Sequence, residues 1–199
     1  SRCWERDSHV VYPPVDTSFF TPGVNPRKSY MAVVGAQVGY KNNSLAVDFA
    51  TATGQKLRVV GTGPAIDQAR EKAGPSVIFE GHVDRNRLRE IYREAGALLF
   101  CGIEDFGIVP VEAIACGCPV VAYGEGGALE TVQEQGPAPV GVIFHENSVQ
   151  SLKDACEKVT KLKEAGTFQH AAMHAYAQKF SRESFRRSMV ALVGDGCLK

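Results

Sequence analysis

The chain has 199 residues, 44% of them hydrophobic, and its 22 Lys plus Arg balance 22 Asp plus Glu, so the formal net charge is zero. Neutrality excludes the broad basic field that draws a protein to nucleic acid or to an anionic membrane surface, so any anion site must be local. The length suits one hydrophobic core in a single domain over 1–199, and no apolar run reaches the roughly eighteen residues that a transmembrane segment needs.

Short β-branched apolar runs alternate with longer segments of helical period, which predicts an α/β fold, a doubly wound parallel sheet with helices on both faces. The expected strands are His9–Tyr12, Tyr30–Gly35, Leu57–Gly61, Val77–Glu80, Ala97–Phe100, Pro119–Ala122 and Val140–Phe144. Helices are expected between them at about Asn43–Ala52, Ala65–Ala73, Asp84–Ala95 and Ile108–Cys116. In the third helix, Leu88, Ile91, Tyr92 and Ala95 share one face and Asp84 stands as its cap. Past the last strand the pattern is wholly helical. Leu152, Ala155, Cys156, Val159 and Leu162 form a stripe, with Asn147 and Gln150 as a capping box, and helices at Thr167–Lys179 and Ser181–Val193 close the chain.

Open parallel sheets bind ligands beyond the carboxyl ends of their strands. Glycines recur there: Gly35, Gly61, Gly63, Gly81, Gly102, Gly124, Gly126 and Gly127. One such glycine is an ordinary turn residue, whereas a row suits a surface stripped of side chains, on which an extended ligand lies against backbone. Within Glu104-Asp105-Phe106-Gly107-Ile108-Val109-Pro110-Val111-Glu112, a glycine and a proline mark a helix start whose free amides favour phosphate. Glu104 in the loop and Glu112 on the helix could supply acceptors for sugar hydroxyls or a vicinal diol, although on spacing alone the reading as two ordinary solvated glutamates is favoured.

Other chemistries find little support. Val59-Val60-Gly61-Thr62-Gly63-Pro64 resembles a dinucleotide fingerprint, but Ile66 occupies the place of the third glycine. The six cysteines (Cys3, Cys101, Cys116, Cys118, Cys156, Cys197) are dispersed through apolar segments and are read as reduced, which points to the cytoplasm. Cys116-Gly117-Cys118 lacks a second ligand pair, and His170 with His174 lacks the following glutamate of a metalloprotease motif; that pair is expected on a solvated helix surface. Neither a metal nor a cofactor is expected.

Laid end to end, these residues resemble the C-terminal half of the group 1 retaining glycosyltransferases of GT-B fold, in their mannosyltransferase-like branch. The likeness runs from Val11-Tyr12-Pro13-Pro14-Val15-Asp16 to Phe180-Ser181-Arg182-Glu183-Ser184-Phe185. It is most specific in the Glu104 to Glu112 segment and in Gly124-Glu125-Gly126-Gly127-Ala128-Leu129-Glu130-Thr131-Val132. The resemblance implies an inter-domain segment at about 1–8, a Rossmann-like nucleotide-sugar-binding domain, and closing helices over about 167–193. It further implies that Glu104 holds donor-sugar hydroxyls, Glu112 the ribose diol, and the amides around Phe106, Gly107, Ile108 and Val109 the sugar and diphosphate. Lys41 would neutralise the departing diphosphate, His82 and Val83 would flank the base, and Gly35, Gly61 and Gly63 would line the donor site. GDP-mannose is the implied donor and a glycan or lipid the acceptor, held by an N-terminal domain outside this sequence, with peripheral association at the inner membrane face through that domain. Two departures stand out: Ala36 and Asn42 occupy positions where the family often carries basic residues. They leave open a non-catalytic or split module that works only beside a partner domain.

Overall fold

Six short apolar runs form one parallel sheet: β1 (Met31–Val34), β2 (Leu57–Val60), β3 (Val77–Gly81), β4 (Ala97–Phe100), β5 (Val120–Tyr123) and β6 (Gly141–Phe144). The computed structural model describes residues 9–24 and 27–196, so the expected inter-domain segment at 1–8, Cys3 and Cys197 lie outside the described residues. The helices are α1 (Asn43–Thr53), α2 (Ile66–Lys72), α3 (Arg85–Glu94), α4 (Ile108–Ala115), α5 (Ala128–Thr131), α6 (Val149–Glu164), α7 (His170–Ala177) and α8 (Arg182–Gly196). Strand order is β3-β2-β1-β4-β5-β6, with Met31 in register with both Leu57 and Ala97.

Helices α1, α2 and α6 pack together, as do α3, α4, α5 and α7, so each face of the sheet carries its own helical layer. Covered on both sides, the central strands have no solvent face, and Val33, Val59, Leu98, Val120 and Val121 are fully buried. This is why they read as continuous rather than alternating apolar runs.

Local chemistry sets the helix ends. The Asp84 carboxylate accepts from the Arg87 amide at 2.9 Å and starts α3 where the sequence places its cap. At α6 the cap is instead Ser148, accepting from the Ser151 amide at 3.2 Å. The expected Asn147–Gln150 box does not form, because Gln150 turns to Asp154 (2.7 Å) and Asn147 to Asn42 (2.8 Å). The carboxyl ends of α3 and α4 share one guanidinium: Arg27 donates to the carbonyls of Tyr92, Arg93 and Ala95 at 2.8–2.9 Å and to that of Cys116 at 3.1 Å. A fixed cation there meets both the orphan carbonyls and the negative helix ends.

Three expectations are corrected. His9–Tyr12 forms no strand: the neighbouring Pro13 and Pro14 lack amide donors, Val10 is exposed, and the nearest pairing among the described residues is the bridge from Val15, beyond this segment, to Ser181. The expected Thr167–Lys179 helix is shorter, with α7 followed by a 3₁₀ turn at Gln178–Phe180. Of the histidine pair, His170 is exposed as expected, while His174 is half-buried: α7 packs on α4, and His174 Nδ1 lies 2.8 Å from the Ala115 carbonyl. Four cysteines, Cys101, Cys116, Cys118 and Cys156, are free and buried, and burial pushes their thiols up.

Candidate functional site

Strands β1 and β4 are neighbours, and the chain leaves them toward opposite flanks of the sheet, which opens a crevice at their carboxyl ends. The loop after β1 runs from Gly35 into a 3₁₀ turn at Gly39–Lys41, and the loop after β4 runs from Cys101 to Gly107. Across the crevice Lys41 Nζ meets Glu104 Oε1 at 2.9 Å, with both side chains partly exposed. Tyr40, Lys41, Glu104, Phe106, Gly107, Ile108 and Val109 line one cleft of about 630 Å³ beside this pair. The cleft thus gathers six of the expected site residues, Lys41, Glu104 and the 106–109 run.

The floor of the cleft is the start of α4. Gly107 adopts φ 86° and caps the helix without a side chain, so the first-turn amides face the cleft. Pro110 stands third in the helix rather than first, where its missing N–H is still harmless. Behind this loop Phe106 stacks on Tyr12 at 5.5 Å and meets Phe180 edge-on at 5.4 Å, so the entering segment and the end of α7's 3₁₀ turn brace it.

Several glycines of the row have a physical cause besides the one their sequence suggests. A Cβ on Gly61 would lie 2.0 Å from the Gly35 carbonyl oxygen, and one on Gly63 2.4 Å from that of Gln37. These glycines let the β1 and β2 loops touch each other. Gly102 likewise receives the Lys41 backbone, and Gly127 the backbone of Phe106. Gly35 stands beside the cleft itself, where a Cβ would crowd Lys41 Nζ at 3.3 Å.

Glu112 does not line the cleft. It lies between α4 and α3, where its Oε2 accepts from the Tyr92 hydroxyl at 3.0 Å. Burial pushes its carboxyl up to about 7, against the opposing pull of the Tyr92 hydrogen bond and of nearby Arg85. The same burial drives the Tyr92 phenol well above its ordinary value. His82 is exposed just past β3, an edge strand of the sheet, while Val83 packs onto the core. Helix α3 then crosses from there back to α4, which links that edge to Glu112.

Three contributors were not evident in the sequence. Tyr92 reads as a plain core residue of its helix face, and only the fold shows its hydroxyl meeting Glu112. Gln37 and Asn43 are buried amides joined to each other and to loop backbone; two amides six apart carry no motif. Among the described residues no three His, Cys, Asp or Glu side chains come together as a metal site.

The sequence model of one family, the glycosyl transferases of group 1, matches residues 15–180. The chain is similar to a D-inositol 3-phosphate glycosyltransferase of Mycobacteroides abscessus, with 28% identity across 93% of this chain and 46% of that protein. It is also similar to a GDP-mannose-dependent alpha-(1-6)-phosphatidylinositol monomannoside mannosyltransferase of Mycobacterium tuberculosis, with 32% identity across 51% of this chain and 29% of that protein. Sucrose-phosphate synthase from Thermosynechococcus elongatus shares the architecture with a TM-score of 0.83 at 22% identity, covering 98% of this chain and 54% of that one. Anabaena HepE in complex with UDP gives 0.79 at 16% identity, covering 94% and 57%. Identities this low speak to fold alone. The chain spans under half the length of these curated relatives.

Proposed function

The chain belongs to the group 1 glycosyl transferases, and on that premise we propose that it is the donor-binding part of a retaining hexosyltransferase using a nucleotide diphosphate sugar. The observation that carries this reading is the Lys41–Glu104 pair, held at 2.9 Å above the open start of α4. An ammonium has three donors, and Glu104 is its one ion-pair partner among the described residues. A diphosphate entering the cleft takes up the remaining donors together with the α4 amides. Partly exposed ion pairs contribute about 1 kcal/mol or less, whereas a charge-assisted hydrogen bond to a phosphate contributes about 1.5–3 kcal/mol. The exchange therefore favours the ligand and frees Glu104 to accept from sugar hydroxyls. As the bond between the anomeric carbon and the phosphate oxygen breaks, its electron pair leaves with the diphosphate, and Lys41 with the helix amides meets the gathering charge. Glu112 receives the ribose diol, and His82 and Val83 flank the base.

GDP-mannose is the favoured donor, supported by the mannosyltransferase-like motifs and by the name of one relative. The UDP found with a structural neighbour makes uridine the competing base. The acceptor, a glycan or a lipid-linked glycan, belongs to the part of the relatives that lies outside the match. No helix among the described residues is long and apolar enough to cross a membrane, and attachment at the inner membrane face would come from that other part. Titration calorimetry with GDP-mannose, UDP-glucose and ADP-glucose tests the reading: GDP-mannose is expected to bind tightest, and no heat with any of the three overturns it.

A second reading, a binding module that transfers sugar only beside a separate partner domain, draws on Ala36 and Asn42, which among the described residues leave Lys41 the one cation lining the cleft. Transfer by a longer chain containing both halves, without any added partner, counts against it.

A further inference from the structure

We infer that Gln37 and Asn43, which do not line the donor cleft, are positioning residues that set the Lys41 loop for the anionic end of the ligand; this rests on the role proposed above for Lys41. Both amides are buried, at 2% and 8% exposure, and they are two of only five buried polar residues in the described structure. Gln37 Nε2 donates to the Gly35 carbonyl at 3.0 Å and to that of Val60 at 3.4 Å. Its Oε1 accepts from Asn43 Nδ2 at 3.3 Å, and the same Nδ2 lies 3.4 Å from the Ala36 carbonyl. The backbone of Gln37 is held as well, its amide donating to Thr62 and its carbonyl accepting from Ala65, both at 3.0 Å.

These contacts fasten the loop after β1 at one end to the loop after β2 and at the other to the first residue of α1. Lys41 lies between the two anchors. Its turn is closed by the Asn42 amide donating to Gly39 at 3.0 Å, with Asn42 in the left-handed region at φ 49°. A buried polar network partnered in this way favours one geometry, because other arrangements strand a donor or acceptor away from water. Apolar side chains at 37 and 43 would fill the same space without fixing the loop. Burial of amides here is therefore explained by the need to hold Lys41 at a set height over the α4 amides, since neither side-chain amide hydrogen-bonds to Lys41 or Glu104.

The test is a double-mutant cycle read by calorimetry with GDP and GMP, run in parallel with UDP and UMP. Gln37→Leu is expected to lower diphosphate affinity about fivefold or more while changing monophosphate affinity less than about twofold. In a Lys41→Ala background the same substitution should add less than about a twofold further loss, because the residue whose position it sets is gone. Equal losses for mono- and diphosphate, additive losses in the double variant, or no loss at all would each overturn the inference. Should Gln37→Leu fail to fold, Asn43→Ala removes the same link and is held to the same outcomes. If Lys41→Ala itself leaves diphosphate affinity unchanged, it is the proposed role of Lys41 that has failed. That result is separable from a failure of Gln37 alone.

Discussion

Replacing Glu112 by Gln changes one oxygen for an amide nitrogen, yet its effect on stability should depend on pH. In the fold the half-buried carboxyl sits between α3 and α4, and burial raises it from 4.5 to about 7. That difference corresponds to about 3 kcal/mol as a ceiling, at about 1.4 kcal/mol per unit. Below pH 4.5 the folded and unfolded chains both hold the proton, and the group adds no pH dependence. Between 4.5 and about 7 the unfolded chain releases its proton while the folded chain keeps it, so stability falls as pH rises, and the loss is complete above the folded value. Glutamine carries no such cost and its carbonyl still accepts from Tyr92. Urea denaturation should therefore find Glu112→Gln near parity with the parent at about pH 4.5 and more stable by about 1–3 kcal/mol at about pH 8. A difference that stays constant across that range, or a variant that is less stable at the upper end, refutes the buried neutral carboxyl. The same proton links to ligand. A ribose diol donates to the ionised carboxylate, so nucleotide binding by the parent should tighten from about pH 6 to 8 and release a proton, and Glu112→Gln should abolish that pH dependence.

Lys41→Ala should weaken nucleoside diphosphate binding by about 1.5–3 kcal/mol by calorimetry, and the parent's advantage should shrink as salt is added. Gly61→Ala places a methyl 2.0 Å from the Gly35 carbonyl oxygen at φ 117°, so the β1 and β2 loops must separate. A loss of about 2 kcal/mol or more in denaturant titrations is expected, and a silent substitution would contradict the contact. Arg27→Met keeps much of the apolar stem but strips four carbonyls of their donor, and should cost about 2–4 kcal/mol in the same assay.

Much of the sheet was legible because a strand covered on both faces needs a continuous apolar run, and Ala97–Phe100 has the bounds expected of it. Asp84 was legible as a cap because its oxygen satisfies an amide three residues away, a purely local transaction. The loop-to-helix pattern brought Glu104 and Glu112 to notice and the family resemblance Lys41, but neither revealed their relations. Lys41 and Glu104 are brought to 2.9 Å by the adjacency of β1 and β4, which no local pattern encodes. Tyr92 and Glu112 meet because α3 crosses back over α4. Part of the glycine row was opaque for a related reason: at Gly61, Gly63, Gly102 and Gly127 the absent side chain makes room for another loop, and that partner is visible only once the strands are in order. His9–Tyr12 misled because β-branched composition shows a willingness to extend, while a strand also needs a neighbour with open hydrogen bonds.

The most direct test of the whole account is a crystal structure of this chain soaked with GDP-mannose or GDP. Diphosphate density is expected in the cleft between the β1 and β4 loops, within hydrogen-bond reach of Lys41 Nζ and the amides of Ile108 and Val109, with the ribose turned toward Glu112. Density elsewhere on the molecule, with the Lys41–Glu104 pair undisturbed, would contradict it.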